Sequence, residues 1–256
     1  MVYDFTTRLA DLLFPPTCIL CNQPGSGGID LCSGCQAGFR KNGHACIRCA
    51  LPLTADAPPG SLCGQCTRRK PPFDTLRAPW LYHGNTAELI RLLKFQRKLA
   101  AGRTLGLLLA QALKSERKMP QLLLPVPLHS QQLRERGFNH AAEITRSLSR
   151  ALEIPWSTRH LSKRHPTAPQ HGLNRRERLK NLRNAFHFQQ NGDLRHVAIV
   201  DDVVTTGSTA TEIARLLKRA GVEKVSIWAV AGPRWSRPRA TSSNLGQDGH
   251  LLGKPP

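Results

Sequence analysis

The stretch Val197-Ala198-Ile199-Val200-Asp201-Asp202-Val203-Val204-Thr205-Thr206-Gly207-Ser208-Thr209 decides the fold and most of the chemistry. A short apolar run bounded by turn residues reads as a buried strand. It ends in two carboxylates, and a loop of Thr, Gly and Ser then leads into a helix. Gly207 permits an unusual backbone angle and the close approach of a ligand. Backbone N–H groups at a helix start carry partial positive charge and suit a phosphate. Thr205, Thr206, Ser208 and Thr209 add hydroxyl donors beside Val204. Asp201 and Asp202 can accept hydrogen bonds from the 2- and 3-hydroxyls of a ribose. They can also help hold Mg²⁺, directly or through water. In open α/β sheets ligands bind at the carboxyl ends of strands, where this loop falls. An acidic pair or a Thr-Thr-Gly-Ser helix cap alone would say little; the ordered string points to a phosphate site.

Outward from this string, periodicity supplies the neighbouring elements. Strands are predicted over Arg77 to Tyr82, Leu122 to Val126, His196 to Val200 and Val222 to Val230. Helices are predicted over Asn85 to Phe95, Gly102 to Lys114, Asn139 to Leu152 with Asn139 as N-cap, and Ser208 to Ala220 closed by Gly221. This alternation predicts an α/β fold with a mostly parallel sheet covered on both faces. The chain divides at about residue 70, where Pro71-Pro72 punctuates it. Residues 1–70 form a small N-terminal domain, 71–235 the α/β domain, and 236–256 a tail that reads as disordered. Thr7 to Phe14 reads as a short helix that docks on a core.

The chain of 256 residues carries a formal charge of +20, which favours polyanionic partners such as nucleic acid or nucleotides. No secretory signal or spanning helix is visible. The apolar run Leu105 to Leu113 is far short of the roughly 20 residues that span a bilayer. A cytoplasmic protein without stable membrane insertion is expected.

All eight cysteines lie in the first 70 residues, as Cys18-x-x-Cys21, Cys32-x-x-Cys35, Cys46-x-x-Cys49 and Cys63-x-x-Cys66. In a reducing compartment this spacing favours metal over disulfides. A two-residue spacer lets both sulfurs of a pair reach one ion, so four pairs supply tetrahedral thiolate sites for two zinc ions. The short loops favour sequential pairing, Cys18, Cys21, Cys32 and Cys35 on one ion and Cys46, Cys49, Cys63 and Cys66 on the other. Spacing alone also admits interleaved pairing. Four protein ligands leave no open position, so the zinc is structural, and its binding supplies folding energy.

The string at 197–209 resembles the phosphoribosyl pyrophosphate motif of type I phosphoribosyltransferases. Further segments are Leu124-Pro125-Val126-Pro127-Leu128-His129, Arg134-Glu135-Arg136-Gly137-Phe138-Asn139-His140 and Thr167-Ala168-Pro169-Gln170. With the four cysteine pairs in front, the layout resembles the ComF family, which includes the GntX-type proteins. The likeness runs from about Leu13 to Ala231. It implies that Asp201 and Asp202 hold the ribose, that Val204 to Thr209 wrap the 5-phosphate, and that Pro127 and Leu128 lie near the pyrophosphate. Arg134 and Arg136 would border the same pocket as an anion clamp, which their chemistry also suits. His140 departs from the Gln usual in the family after Gly-Phe-Asn.

Lys163 to Arg183 carries seven Lys or Arg against one Glu. By analogy with related transferases it is expected to be a mobile loop over the site, with Lys163, Arg164, Gln170, Arg175, Arg176 and Arg178 as candidates. Lys94 reads either as a phosphate contact or as a charge partner of its own helix dipole. Two functions are implied. One is a phosphoribosyltransferase that takes phosphoribosyl pyrophosphate or a related sugar phosphate with Mg²⁺ and passes a ribosyl phosphate to an acceptor. The other is a protein of natural competence and DNA uptake whose zinc ribbons hold single-stranded DNA alongside a helicase, the phosphoribosyl pocket being regulatory.

Overall fold

The computed structural model describes residues 15–164, 184–190 and 192–232. The N-terminal helix expected over 7–14, the candidates Gln170, Arg175, Arg176 and Arg178, and the tail 236–256 lie outside them.

Seven strands and seven helices are described. The helices are α1 (Ser33–Ala37), α2 (Gly64–Arg68), α3 (Gly84–Gln96), α4 (Leu99–Leu113), α5 (Ser130–Arg136), α6 (His140–Leu152) and α7 (Ser208–Arg219). The strands are β1 (Thr75–Arg77), β2 (Trp80–Leu81), β3 (Leu122–Pro125), β4 (Leu161–Lys163), β5 (Phe186–Phe188), β6 (His196–Val203) and β7 (Lys224–Gly232). The main sheet is parallel throughout, in the order β1-β7-β6-β3, with β2 also on β7. β4 and β5 form a separate antiparallel pair.

The central strands β6 and β7 are buried almost end to end, as apolar strands covered on both faces must be. Ala198 and Val200 of β6 pack with Leu89, Leu93, Leu105 and Ile144, from α3, α4 and α6. Val197 and Ile199 face the other way, onto Ile213 and Leu217 of α7 and Phe186 of β5. The single strand expected over Arg77 to Tyr82 is broken into β1 and β2 by Pro79, which has no N–H to give the ladder and so suits an edge.

The cysteine region repeats one local geometry twice. Cys18 N–H donates to Gln23 O and Cys46 N–H to Leu51 O, each at 2.8 Å. Asn22 and Ala50 take positive φ at the matching position. The second cysteine pair of each unit then opens a short helix, α1 or α2. The two ribbons are not separate beads. Ile29, Leu31 and Phe39 share one buried cluster with α3 and α4, and Ala50 packs with Phe73 and Leu76.

Both edges of the sheet are covered. Along β1 and β2, Leu76 N–H donates to Arg48 O (2.8 Å), Asn42 N–H to Pro79 O (2.7 Å) and Leu81 N–H to Arg40 O (2.9 Å). The Asn42 side-chain amide reaches Ala50 O and Ala78 O. At the opposite edge Leu123 of β3 exchanges hydrogen bonds with Pro155 O and Ser157 N–H. No helix among the described residues is long and apolar enough to cross a membrane.

Candidate functional site

Strand alternation assigns the two carboxylates different surroundings. Asp202 follows Ala198 and Val200 onto the face covered by α3, α4 and α6, and is only 2% exposed. There its Oδ2 forms an ion pair with Lys94 Nζ, from the last turn of α3. Its Oδ1 lies 3.5 Å from His140 Nε2, at the start of α6. Asp201 is half-buried, and its Oδ1 accepts the Asp202 N–H at 2.9 Å.

A buried charge network follows. Burial pushes the Asp202 carboxyl up, but Lys94 and His140 outweigh it and hold the group at about 2. Asp201 moves the other way: burial, and then the neighbouring Asp202 charge, push it well above the usual carboxylate range. His140 is lowered to about 4, chiefly by burial, with Asp202 opposing and Lys94 and Arg136 assisting. It is therefore neutral near pH 7. Arg136 Nη1 lies 3.5 Å from His140 Nδ1. A guanidinium only donates, so Nδ1 accepts and Nε2 carries the proton toward Asp202.

The Asn139 side chain fixes where α6 begins. Its Oδ1 accepts from Ala141 and Ala142 N–H at 3.0 and 3.4 Å, and its Nδ2 donates to Val126 O at 3.0 Å. This one residue ties the segment after β3 to the helix that carries His140. Because β3 runs parallel to β6, half-buried Pro127 and Leu128 lie at the carboxyl end of the sheet with the acidic pair.

The phosphate-type loop leaves β6 at Val204, whose N–H donates to Ala231 O at 3.0 Å. Gly207 sits at φ +70°, and a Cβ built there would meet nothing nearer than Val204 Cγ1 at 3.9 Å. Its carbonyl accepts Thr211 N–H at 2.8 Å and starts α7. Thr206 and Ser208 hydroxyls lie 2.9 Å apart. Thr205 and Thr206 are exposed, so the cradle is open rather than packed, and Thr209 is half-buried.

Of the other candidates, Arg136 joins the carboxylates through His140, whereas Arg134 is exposed on α5. Half-buried Lys163 and exposed Arg164 stand at the end of β4, and Arg164 N–H donates to Ala185 O. The partner that Lys94 and His140 share, Asp202, is not marked in the sequence around either residue. A signal was present for Lys94, since it stands four residues after Ile90 on the buried stripe of α3. A lysine there needs a buried acid.

The eight sulfurs fall into two groups, Cys18, Cys21, Cys32 and Cys35, and Cys46, Cys49, Cys63 and Cys66, with all Sγ atoms of a group within 4.8 Å of one another. Pairing is therefore sequential. Cys21 and Cys32 Sγ lie 3.6 Å apart, as do Cys49 and Cys63. Zinc–sulfur bonds of about 2.3 Å in a tetrahedron give sulfur–sulfur edges of about 3.8 Å, so the donor sets fit zinc. These are two structural Cys₄ ribbon sites.

Comparison with known proteins agrees with both halves. Residues 9–67 match the double zinc ribbon domain and residues 136–243 the phosphoribosyl transferase domain. The DNA utilization protein YhgH of Escherichia coli is 37% identical over 225 residues, covering 86% of this chain and 98% of that protein. Competence protein F of Haemophilus influenzae is 35% identical over 209 residues, covering 78% and 90%. Among solved structures, a purine phosphoribosyltransferase of Pyrococcus horikoshii is similar over 54% of this chain and 77% of its own, with 19% identity and a TM-score of 0.33.

Proposed function

We propose, from the premise that this chain belongs to the ComF family of double zinc ribbon and phosphoribosyltransferase-domain proteins, that the loop 201–209 binds phosphoribosyl pyrophosphate with Mg²⁺. The observation that carries this reading is the asymmetric acidic pair at the mouth of an open, glycine-hinged cradle. Asp202 is already neutralised by Lys94 and held by His140. Asp201 is the strained acid, and ribose hydroxyls or a divalent cation would relieve it.

The residues fit Mg²⁺ in a limited way. His140, Asp201 and Asp202 offer ligand atoms within 4.8 Å of one another, but Asp202 Oδ2 already takes the Lys94 ammonium. Asp201 is the open donor, and phosphate and water oxygens would complete the shell, as Mg²⁺ usually requires. Bound there, the ion would neutralise a departing pyrophosphate. The loop N–H groups would hold the 5-phosphate, Asp201 the ribose hydroxyls, and Arg136 with the segment at Pro127 and Leu128 the pyrophosphate side. Transfer breaks the bond from ribose C1 to the pyrophosphate oxygen and forms one to an acceptor nucleophile.

The biological setting we propose is natural competence and DNA use in the cytoplasm, following the relatives' names. A second reading, a zinc-ribbon protein that holds single-stranded DNA with a regulatory phosphoribosyl pocket, draws on exposed Arg68, Arg69 and Lys70 after the last cysteine pair. Calorimetric titration with phosphoribosyl pyrophosphate tests the first. Binding should need Mg²⁺ and weaken about tenfold or more in Asp201→Asn, the worth of a charge-assisted hydrogen bond. Equal binding by wild type and Asp201→Asn would overturn it. Pyrophosphate release across candidate acceptors then separates transferase from regulatory pocket.

A further inference from the structure

A cavity of about 620 Å³ opens beside the phosphate-type loop, and its walls come from parts of the chain far apart in sequence. Thr205, Thr206 and Gly207 form one side. The other side is the end of the second zinc ribbon and the Pro71-Pro72 turn. Arg68, Arg69 and Lys70 from the ribbon and Arg215 from α7 line it, and among the described residues no carboxylate does. Arg215 is held by Glu212 at 3.0 Å, whereas Arg68, Arg69 and Lys70 are exposed. The floor is apolar, built from Leu51, Pro72, Phe73 and Leu76.

Asp201 and Asp202 are absent from this lining. The cavity therefore extends from the phosphate end of the loop, away from the ribose end. A single 5-phosphate held by Thr205, Thr206 and Gly207 would occupy only the edge of it. Its size lies within the roughly 300–1,000 Å³ of small-molecule pockets, well beyond one phosphate. Its chemistry, an apolar floor under a cationic wall, suits a nucleotide.

We propose that this cavity is a second phosphate subsite, and that the preferred ligand is a nucleotide whose 5-phosphate is itself joined to a further phosphorylated group. The ribbon, beyond its structural role, then contributes directly to recognition. This rests on the reading of the loop as a phosphate site. Two sources share the chemistry: a nucleoside 5-polyphosphate and a phosphodiester-linked strand.

The test uses full-length, zinc-loaded protein and three probes: uridine 5-monophosphate, uridine 5-triphosphate and the 5-phosphorylated uridine dinucleotide. The triphosphate or the dinucleotide should bind about tenfold or more tightly than the monophosphate, one or two added charge-assisted contacts. Which of the two gains identifies the source. The preference should vanish in Arg68→Gln/Arg69→Gln/Lys70→Gln and persist in Lys114→Gln/Arg117→Gln/Lys118→Gln, which removes equal charge from exposed residues outside the cavity. Equal affinity for all three probes in wild type, or a preference untouched by the ribbon variant, overturns the subsite. Phosphoribosyl pyrophosphate titrated in parallel separates the failures. If it binds while no probe is preferred, only the subsite falls. If neither it nor the monophosphate binds, the loop reading falls and takes the subsite with it, and triphosphate binding that depends on the ribbon cations then marks an independent anion site. If nothing binds, both fall.

Discussion

Lys94 and Asp202 meet in a nearly dry position, and that location sets what each substitution costs. Removing one partner of a buried pair strands the other charge, at about 3 kcal/mol or more. Lys94→Met should therefore lower the unfolding free energy by about that amount, and adding Asp202→Asn should recover much of it. Urea denaturation of the three variants measures the coupling; independent, additive losses would show that the pair is not a unit. His196 gives a second residue-scale prediction. Its ring lies 2.8 Å from Ser226 Oγ and 3.1 Å from Met119 O, and burial, then Lys224, lower it to about 4. Folded and unfolded chains then differ in proton uptake between pH 6.5 and 4, where only the unfolded chain binds the proton. Stability is full above pH 6.5 and falls as pH drops through this window, by at most roughly 3 kcal/mol for His196. His140 acts in the same sense. The pH dependence of chemical denaturation should flatten in His196→Gln; an unchanged slope would exclude His196 as a source.

Helices α4 and α6 pack closely because two glycines remove the side chains between them. A Cβ at Gly106 would lie 2.5 Å from Ile144 O and 2.8 Å from Ser147 Cβ, and one at Gly102 3.0 Å from Glu143 Cβ. Gly106→Ala should gain helix propensity but force the helices apart, for a net loss of about 1–3 kcal/mol. Thermal unfolding checks this, and a raised Tm would contradict it. At this scale the sequence was informative wherever a period ran long enough. Strands β3, β6 and β7 and helices α3, α4, α6 and α7 were legible from apolar spacing, and the Asn139 cap from its chemistry. Helix α5 was not, because Ser130–Arg136 is nearly all polar and has no stripe to read. The β4–β5 pair was not, because three-residue strands carry little period and their partners are remote in sequence. The acidic loop was legible as a string, but its counter-ions were not. Lys94 and His140 reach Asp202 only through tertiary packing, which leaves no local mark.

Across the whole molecule, the ribbons and the sheet share one interior. Ile29, Leu31 and Phe39 pack into the cluster under α3 and α4, so the first zinc site supports the α/β core as well as its own loops. Chelation should therefore not leave the α/β half intact. Calorimetry is expected to show one transition for the zinc-loaded chain, and a lower, broader one after metal removal. A chelated protein that kept a sharp transition at the original Tm would show that the two halves fold independently.

The backbone bonds from residues 40–48 to Leu76, Pro79 and Leu81 carry one further consequence. They turn the outermost rung of the ladder inward, so that no stranger's strand can dock there. Stripped of its metals, the chain would lose that guard and present bare amides to its copies. Zinc starvation would then be felt as precipitation, driven by strand-to-strand stacking, before it is felt as lost ligand binding.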